Sequence, residues 1–118
     1  MRWLAGALVV AGVFGACVAA AQPPPAPEPV IVALTLQDHR FTPDRLSVPP
    51  GRRIRIDLAN HDAALEEFDS DDLHVERDVT PHGRTSFIVG PLKPGAYSFM
   101  GELHPDTASG VLTVSAAP

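Results

Sequence analysis

Hydrophobic residues recur at every second position through much of this chain. Val32, Leu34 and Leu36 alternate with Ala33, Thr35 and Gln37, and Ile54, Ile56 and Leu58 alternate with Arg53, Arg55 and Asp57. Successive side chains of a strand point to opposite faces, so this spacing predicts strands with one buried face. Val48 closes a short strand before Pro49-Pro50-Gly51, Tyr97 and Phe99 mark another after Lys93-Pro94-Gly95, and Val111 to Val114 form the last. Phe87 and Val89 carry the same alternation with the apolar Ile88 between them, which predicts a strand covered on both faces.

Turn signals stand at Pro43-Asp44, Pro49 to Gly51, Asn60 to Asp62, Ser70 to Asp72, Pro81 to Gly83, Pro94-Gly95 and Pro105-Asp106. They cut the chain into pieces of about 8 to 12 residues, the spacing of sandwiches and barrels. No window of a dozen residues carries the period of an amphipathic helix. The expected fold is all-β, a Greek-key sandwich of seven to eight strands without internal repeats, formed by residues 30–118 as one monomeric domain.

The first 29 residues break this pattern. After Arg2, an uninterrupted apolar run from Trp3 to Ala21 ends in Ala19-Ala20-Ala21. A positive start, an apolar middle and small residues at the end are the marks of a secretory signal, assigned to residues 1–21. A retained membrane anchor is the alternative, but the run is rich in Ala and Gly and has no basic stop after it. Residues 22–29, QPPPAPEP, are expected to form an extended, semi-rigid linker. The domain is therefore expected in the periplasm or secreted.

The chain's one cysteine, Cys17, lies inside the apolar run, so the exported domain has no thiol and no disulfide. Phe14-Gly15-Ala16-Cys17 also resembles a bacterial lipobox, which implies a lipoprotein anchored through Cys17 as an alternative to cleavage. Without residues 1–21 the domain keeps 8 basic and 14 acidic residues, a formal charge of −6. That balance disfavours nucleic acid and anionic membranes and suits cationic partners.

Two loops are rich in metal-ligating residues. The first, Asn60 to Asp72, is crowded with acids but lacks the glycine and terminal glutamate of a calcium-binding EF-hand loop. Asp69, Asp71 and Asp72 read as a solvated acidic hairpin. Glu66 and Glu67 differ, because burial of the adjacent Phe68 would aim one of the two carboxylates at a defined place. The second loop is Met100-Gly101-Glu102-Leu103-His104-Pro105-Asp106. In extended chain Glu102 and His104 share one face, a geometry suited to gripping one ion. His39, His61, His74 and His82 read as surface histidines at strand ends and turns. Nucleophile elbows, phosphate-binding glycine loops, Cys-His pairs and His-Glu-x-x-His helices are all missing, so catalysis is not expected.

The run Phe41-Thr42-Pro43, Leu46 to Gly51 and Ile56 to Asn60, followed by Pro91 to Phe99 and Gly110 to Val114, resembles the cupredoxin-like superfamily over about residues 31–115. Blue copper members end in a Tyr-x-Phe-x-Cys-x-x-His strand and loop. Against that pattern Tyr97, Phe99 and His104 match, Gly101 stands at the cysteine position, Ser109 falls near the methionine, and the first-loop histidine falls around Glu66 and Glu67. A blue-copper centre depends on the thiolate, so its electron transfer is not expected.

The wording Leu65 to Ser70 with Gly101 to Ala108 is similar to the EfeO-type cupredoxin-like domains, exported modules linked to iron uptake through a membrane iron permease. The resemblance implies an iron or copper ion held by acidic and other side chains, with that permease as a partner. If the two loops meet at one end of the sandwich, Glu66 or Glu67 would join Glu102 and His104 as the metal ligands. Oxygen-rich donors with one nitrogen favour iron(III), copper(II) or zinc over copper(I). The competing expectation is a metal-free interaction domain that docks a partner through its acidic loops.

Overall fold

The computed structural model describes residues 6–17 and 21–116. The predicted export signal therefore lies partly outside the described residues, and among them no helix is long and apolar enough to cross a membrane. From Val30 onward the chain forms strands: β1 (Val30–Gln37), β2 (Arg40–Thr42), β3 (Arg45–Val48), β4 (Ile54–Asn60), β5 (Glu66–Ser70), β6 (Val75–Val79), β7 (Arg84–Val89), β8 (Gly95–Met100) and β9 (Ser109–Val114). They build a four-stranded sheet in the order β2-β1-β4-β7 and a five-stranded sheet in the order β3-β9-β8-β5-β6. Strands β1 and β4 run parallel, as do β3 and β9, and the remaining pairs are antiparallel.

Alternation decides which residues fill the space between the sheets. Leu34 and Leu36 of β1, Ile54, Ile56 and Leu58 of β4, Phe68 of β5, Phe87 and Val89 of β7, Phe99 of β8 and Leu112 and Val114 of β9 form one buried core. Phe68 stacks on Phe99 with ring centroids 5.1 Å apart and meets Phe87 at 4.9 Å. Phe41 stands edge-on to Phe99 at 5.0 Å. Gly110 lies under the Phe99 ring, where an added Cβ would come within 2.3 Å of it.

Two expectations change. Ile88 is half exposed, so β7 is covered on one face only, as the edge of its sheet permits. Nine strands replace the predicted seven to eight because the short β2 pairs with β1, while the acidic segment forms its hairpin as β5–β6.

The proline-rich residues 22–29 form no strand. Arg53 donates to the carbonyl of Pro27 at 3.1 Å and Arg52 to that of Glu28, so this segment touches the sandwich where β1 begins. Eight strand residues later, about 26 Å away at the usual strand rise, β1 delivers the chain to the opposite end, where the two ligand-rich loops converge.

Candidate metal centre

Glu66 owes its direction to Phe68. The two lie two residues apart on β5, so a strand that buries Phe68 in the aromatic core also turns Glu66 inward. Glu66 is 0% exposed. A buried carboxylate is costly unless it is hydrogen-bonded to partners that offset its charge. Two imidazoles provide those partners: Nδ1 of His39 lies 2.6 Å from Glu66 Oε1, and Nδ1 of His104 lies 3.1 Å from Oε2. The rings stack on each other with centroids 3.6 Å apart and an interplanar angle of 19°. One ligand atom from each of the three residues lies within 4.8 Å of the others, a spacing that can hold a metal ion.

Local structure fixes both histidines. Asp38 and His39 form the two-residue turn between β1 and β2 with φ of 53° and 57°, the left-handed conformation that suits the twist of a hairpin. Asp62 holds that turn by accepting the N–H groups of Asp38 at 2.7 Å and His39 at 3.0 Å. Asp62 is itself placed by buried Asn60, whose Oδ1 accepts the Asp62 N–H while its Nδ2 donates to the carbonyls of Ala64, Val79 and Thr80. On the other side, the loop after β8 closes on itself: Gly101 N–H donates to Ala108 O, and the N–H of Ala108 to His104 O. Thr107 Oγ1 then donates to the His39 carbonyl at 2.7 Å, tying this loop to the hairpin.

The electrostatics follow from these contacts. The Glu66 hydrogen bond, reinforced by the charges of Glu66, Asp62 and Asp38, raises the His39 pKa above its ordinary value, although desolvation opposes it. Burial disfavours the Asp62 carboxylate, yet the backbone N–H groups of His39 and Asp38 outweigh it and lower the pKa.

Of the four residues singled out in the sequence, the structure brings Glu66 and His104 together and places Glu67 and Glu102 elsewhere. Glu102 and His104 do not share an extended face, because the N–H of His104 bonds Gly101 O and the loop turns between them. Glu67 points to the other side of β5 and groups with Glu102 and Glu76. Burial, together with the neighbouring Glu102, raises the Glu67 pKa to about 7. His39, read from sequence as a surface histidine, joins the centre. The signal available for it was Asp38-His39 standing as a two-residue turn after the alternating run that ends at Gln37.

Gly101, at the position of the blue-copper cysteine, is buried, and a Cβ added there would lie 2.8 Å from Ala108 Cβ and 3.2 Å from the Glu67 carbonyl. No thiolate fits without displacing that loop.

The sequence profile of the cupredoxin-like domain matches residues 7–114. The chain belongs to the cupredoxin-like family. This cupredoxin-like domain is 44% identical over 84 residues to the uncharacterized protein RP394 of Rickettsia prowazekii, covering 71% of the chain and 67% of that relative. Among solved structures it resembles auracyanin A, a blue copper protein from Chloroflexus aurantiacus, with a TM-score of 0.66 at 14% identity over 75% of this chain and 100% of that one. It also resembles the metal-binding domain of the Cu(I)-exporting P-type ATPase CopA of Streptococcus pneumoniae D39, with a TM-score of 0.64 at 11% identity over 73% and 85% of the two chains. At such identities the likeness establishes the fold. The candidate centre of this chain offers two imidazoles and one carboxylate, with no sulfur among them.

Proposed function

We propose that this chain is an exported metal-binding module that holds copper(II) or iron through His39, Glu66 and His104 and does not act as a blue-copper electron carrier. The observation that carries this reading is the fully buried Glu66 carboxylate, approached by the Nδ1 atoms of both histidines. The donor set fits a metal of intermediate hardness. Imidazole suits copper, zinc and iron, and two histidines with one carboxylate is the set used by non-haem iron(II) sites. Without thiolate or thioether among these ligands, copper(I) is disfavoured. Copper(II) should bind most tightly of the divalent ions in solution, by the general affinity order, whichever ion the cell supplies. When bound, the ion would be carried and released; the three side chains would grip it, and the Asn60–Asp62 network would hold them in place.

Delivery of iron to a membrane permease is a narrower form of the same proposal, supported by the resemblance of Leu65 to Ser70 and Gly101 to Ala108 to iron-uptake domains. The apolar run followed by a proline-rich linker supports an extracytoplasmic location, by cleavage after Ala21 or by lipidation at Cys17.

Titration of the purified protein with copper(II) and with iron tests the reading. One ion per chain is expected, with affinity lowered at least about tenfold, or 1.4 kcal/mol, by His39→Ala and by His104→Ala. Unchanged binding in both variants would reject the site, and absence of any saturable binding would favour the metal-free interaction domain.

A further inference from the structure

A second group of carboxylates lies on the outer face of the five-stranded sheet and takes no part in the histidine centre. The β5–β6 register sets Glu67 directly opposite Asp78 and Asp69 directly opposite Glu76. Alternation puts all four on one face, since the intervening Phe68 enters the core. Like charges directly opposite each other destabilise a sheet. Glu102 from the loop after β8 is added to them, and one carboxylate oxygen each of Glu67, Glu76 and Glu102 lies within 4.8 Å of the others. Among the described residues, no Lys, Arg or His forms a salt bridge with any of these five acids.

Glu67 separates this group from an ordinary solvated acidic surface. It is only 7% exposed, and its Oε1 is buried without a hydrogen-bond partner. Leaving a carboxylate oxygen buried and unpaired is costly unless something occupies it. A bound cation would relieve both the repulsive register and the orphaned oxygen.

We infer that Glu67, Glu76 and Glu102 form a second cation site, distinct from the histidine centre and selective for hard divalent ions of the Ca2+ and Mn2+ class. The donors are all oxygen, which such ions prefer, and the exposed Glu76 and Glu102 leave room for the waters that complete their coordination. Adjacent residues of one strand, Glu66 and Glu67, thereby serve two sites of different chemistry on opposite faces of β5. The inference does not depend on what the histidine centre binds.

The test uses Mn2+ as probe and the full-length protein, reading the EPR signal of free Mn2+. The parent and the His39→Ala/His104→Ala double variant should each bind one Mn2+ saturably, and added Ca2+ should displace it. Glu67→Gln and Glu102→Gln should each weaken binding at least tenfold. Because Glu102 is exposed, Glu102→Gln decides the matter even if Glu67→Gln disturbs folding. Parent-like Mn2+ affinity in Glu102→Gln, loss of Mn2+ in the double histidine variant, or only non-saturating association would overturn the assignment.

Discussion

Asp62 Oδ2 accepts the backbone N–H of His39 at 3.0 Å, and this bond connects the loop that follows β4 to the hairpin that presents the imidazole. The same carboxylate accepts the N–H of Asp38, so one side chain holds both residues of a left-handed turn that neither would favour alone. In the proposed centre, Asp62 would orient the His39 imidazole through this turn, as outer-shell partners orient metal ligands.

Asp62→Ala should therefore act on both stability and binding. Loss of two hydrogen bonds to a carboxylate is expected to cost about 1.5–3 kcal/mol in urea denaturation. Copper(II) affinity should also fall, because His39 loses its orientation while Glu66 and His104 remain. Unaltered affinity in a destabilised variant would show that the turn does not need Asp62 to present its imidazole.

Without metal, the domain should lose thermal stability as pH rises from about 5 to 8. Glu67, with its pKa raised to about 7 by burial and by Glu102, and His39, raised by its bond to Glu66, both hold protons more tightly when folded. Their stabilising contribution is complete below the unfolded-state pKa of each and disappears as pH passes the folded one. Asp57, lowered by Ser86 and Arg55, and Asp72, lowered by Ser98, act in the opposite sense and lose their contribution in acid. Melting curves in chelator should thus peak near about pH 5, and Glu67→Gln should flatten the neutral limb. A parent protein most stable at pH 8 would contradict this assignment of protons.

Gly101→Cys restores the missing residue of the blue-copper pattern but should not restore its centre. The new Cβ meets Ala108 Cβ at 2.8 Å, a contact no side-chain rotation relieves, so a loss of about 1–3 kcal/mol is expected from overpacking. Copper(II) added to the variant should give no intense thiolate charge-transfer colour. Appearance of that colour in a fully stable protein would mean that the loop yields more readily than its packing implies.

The fold was legible because alternation is a direct record of burial: Leu34, Leu36, Ile54, Ile56 and Leu58 face the core as their spacing requires. The acidic hairpin was harder to read. Its inward residues, Glu66, Phe68 and Ser70, include a carboxylate and a hydroxyl, so the apolar period that marks other strands is missing from β5. The candidate centre was legible in its loops and not in its membership. Glu66 and His104 were accessible through their place near Phe68 and in the last loop. His39 is contributed by a turn 27 residues before Glu66, and only the parallel pairing of β1 with β4 brings that turn to the site. Glu67 parted from them because it lies on the opposite face of β5 from Glu66, and Glu102 because the chain turns between Gly101 and His104, a bend that a two-residue spacing does not disclose.

The most direct test of the account is the number of nitrogen ligands on bound copper(II), read by pulsed EPR on the protein loaded with one equivalent. Two coordinated imidazoles are expected in the parent, and one in each of His39→Ala and His104→Ala. Two imidazoles persisting in both single variants would place the metal away from Glu66 and contradict the proposed centre.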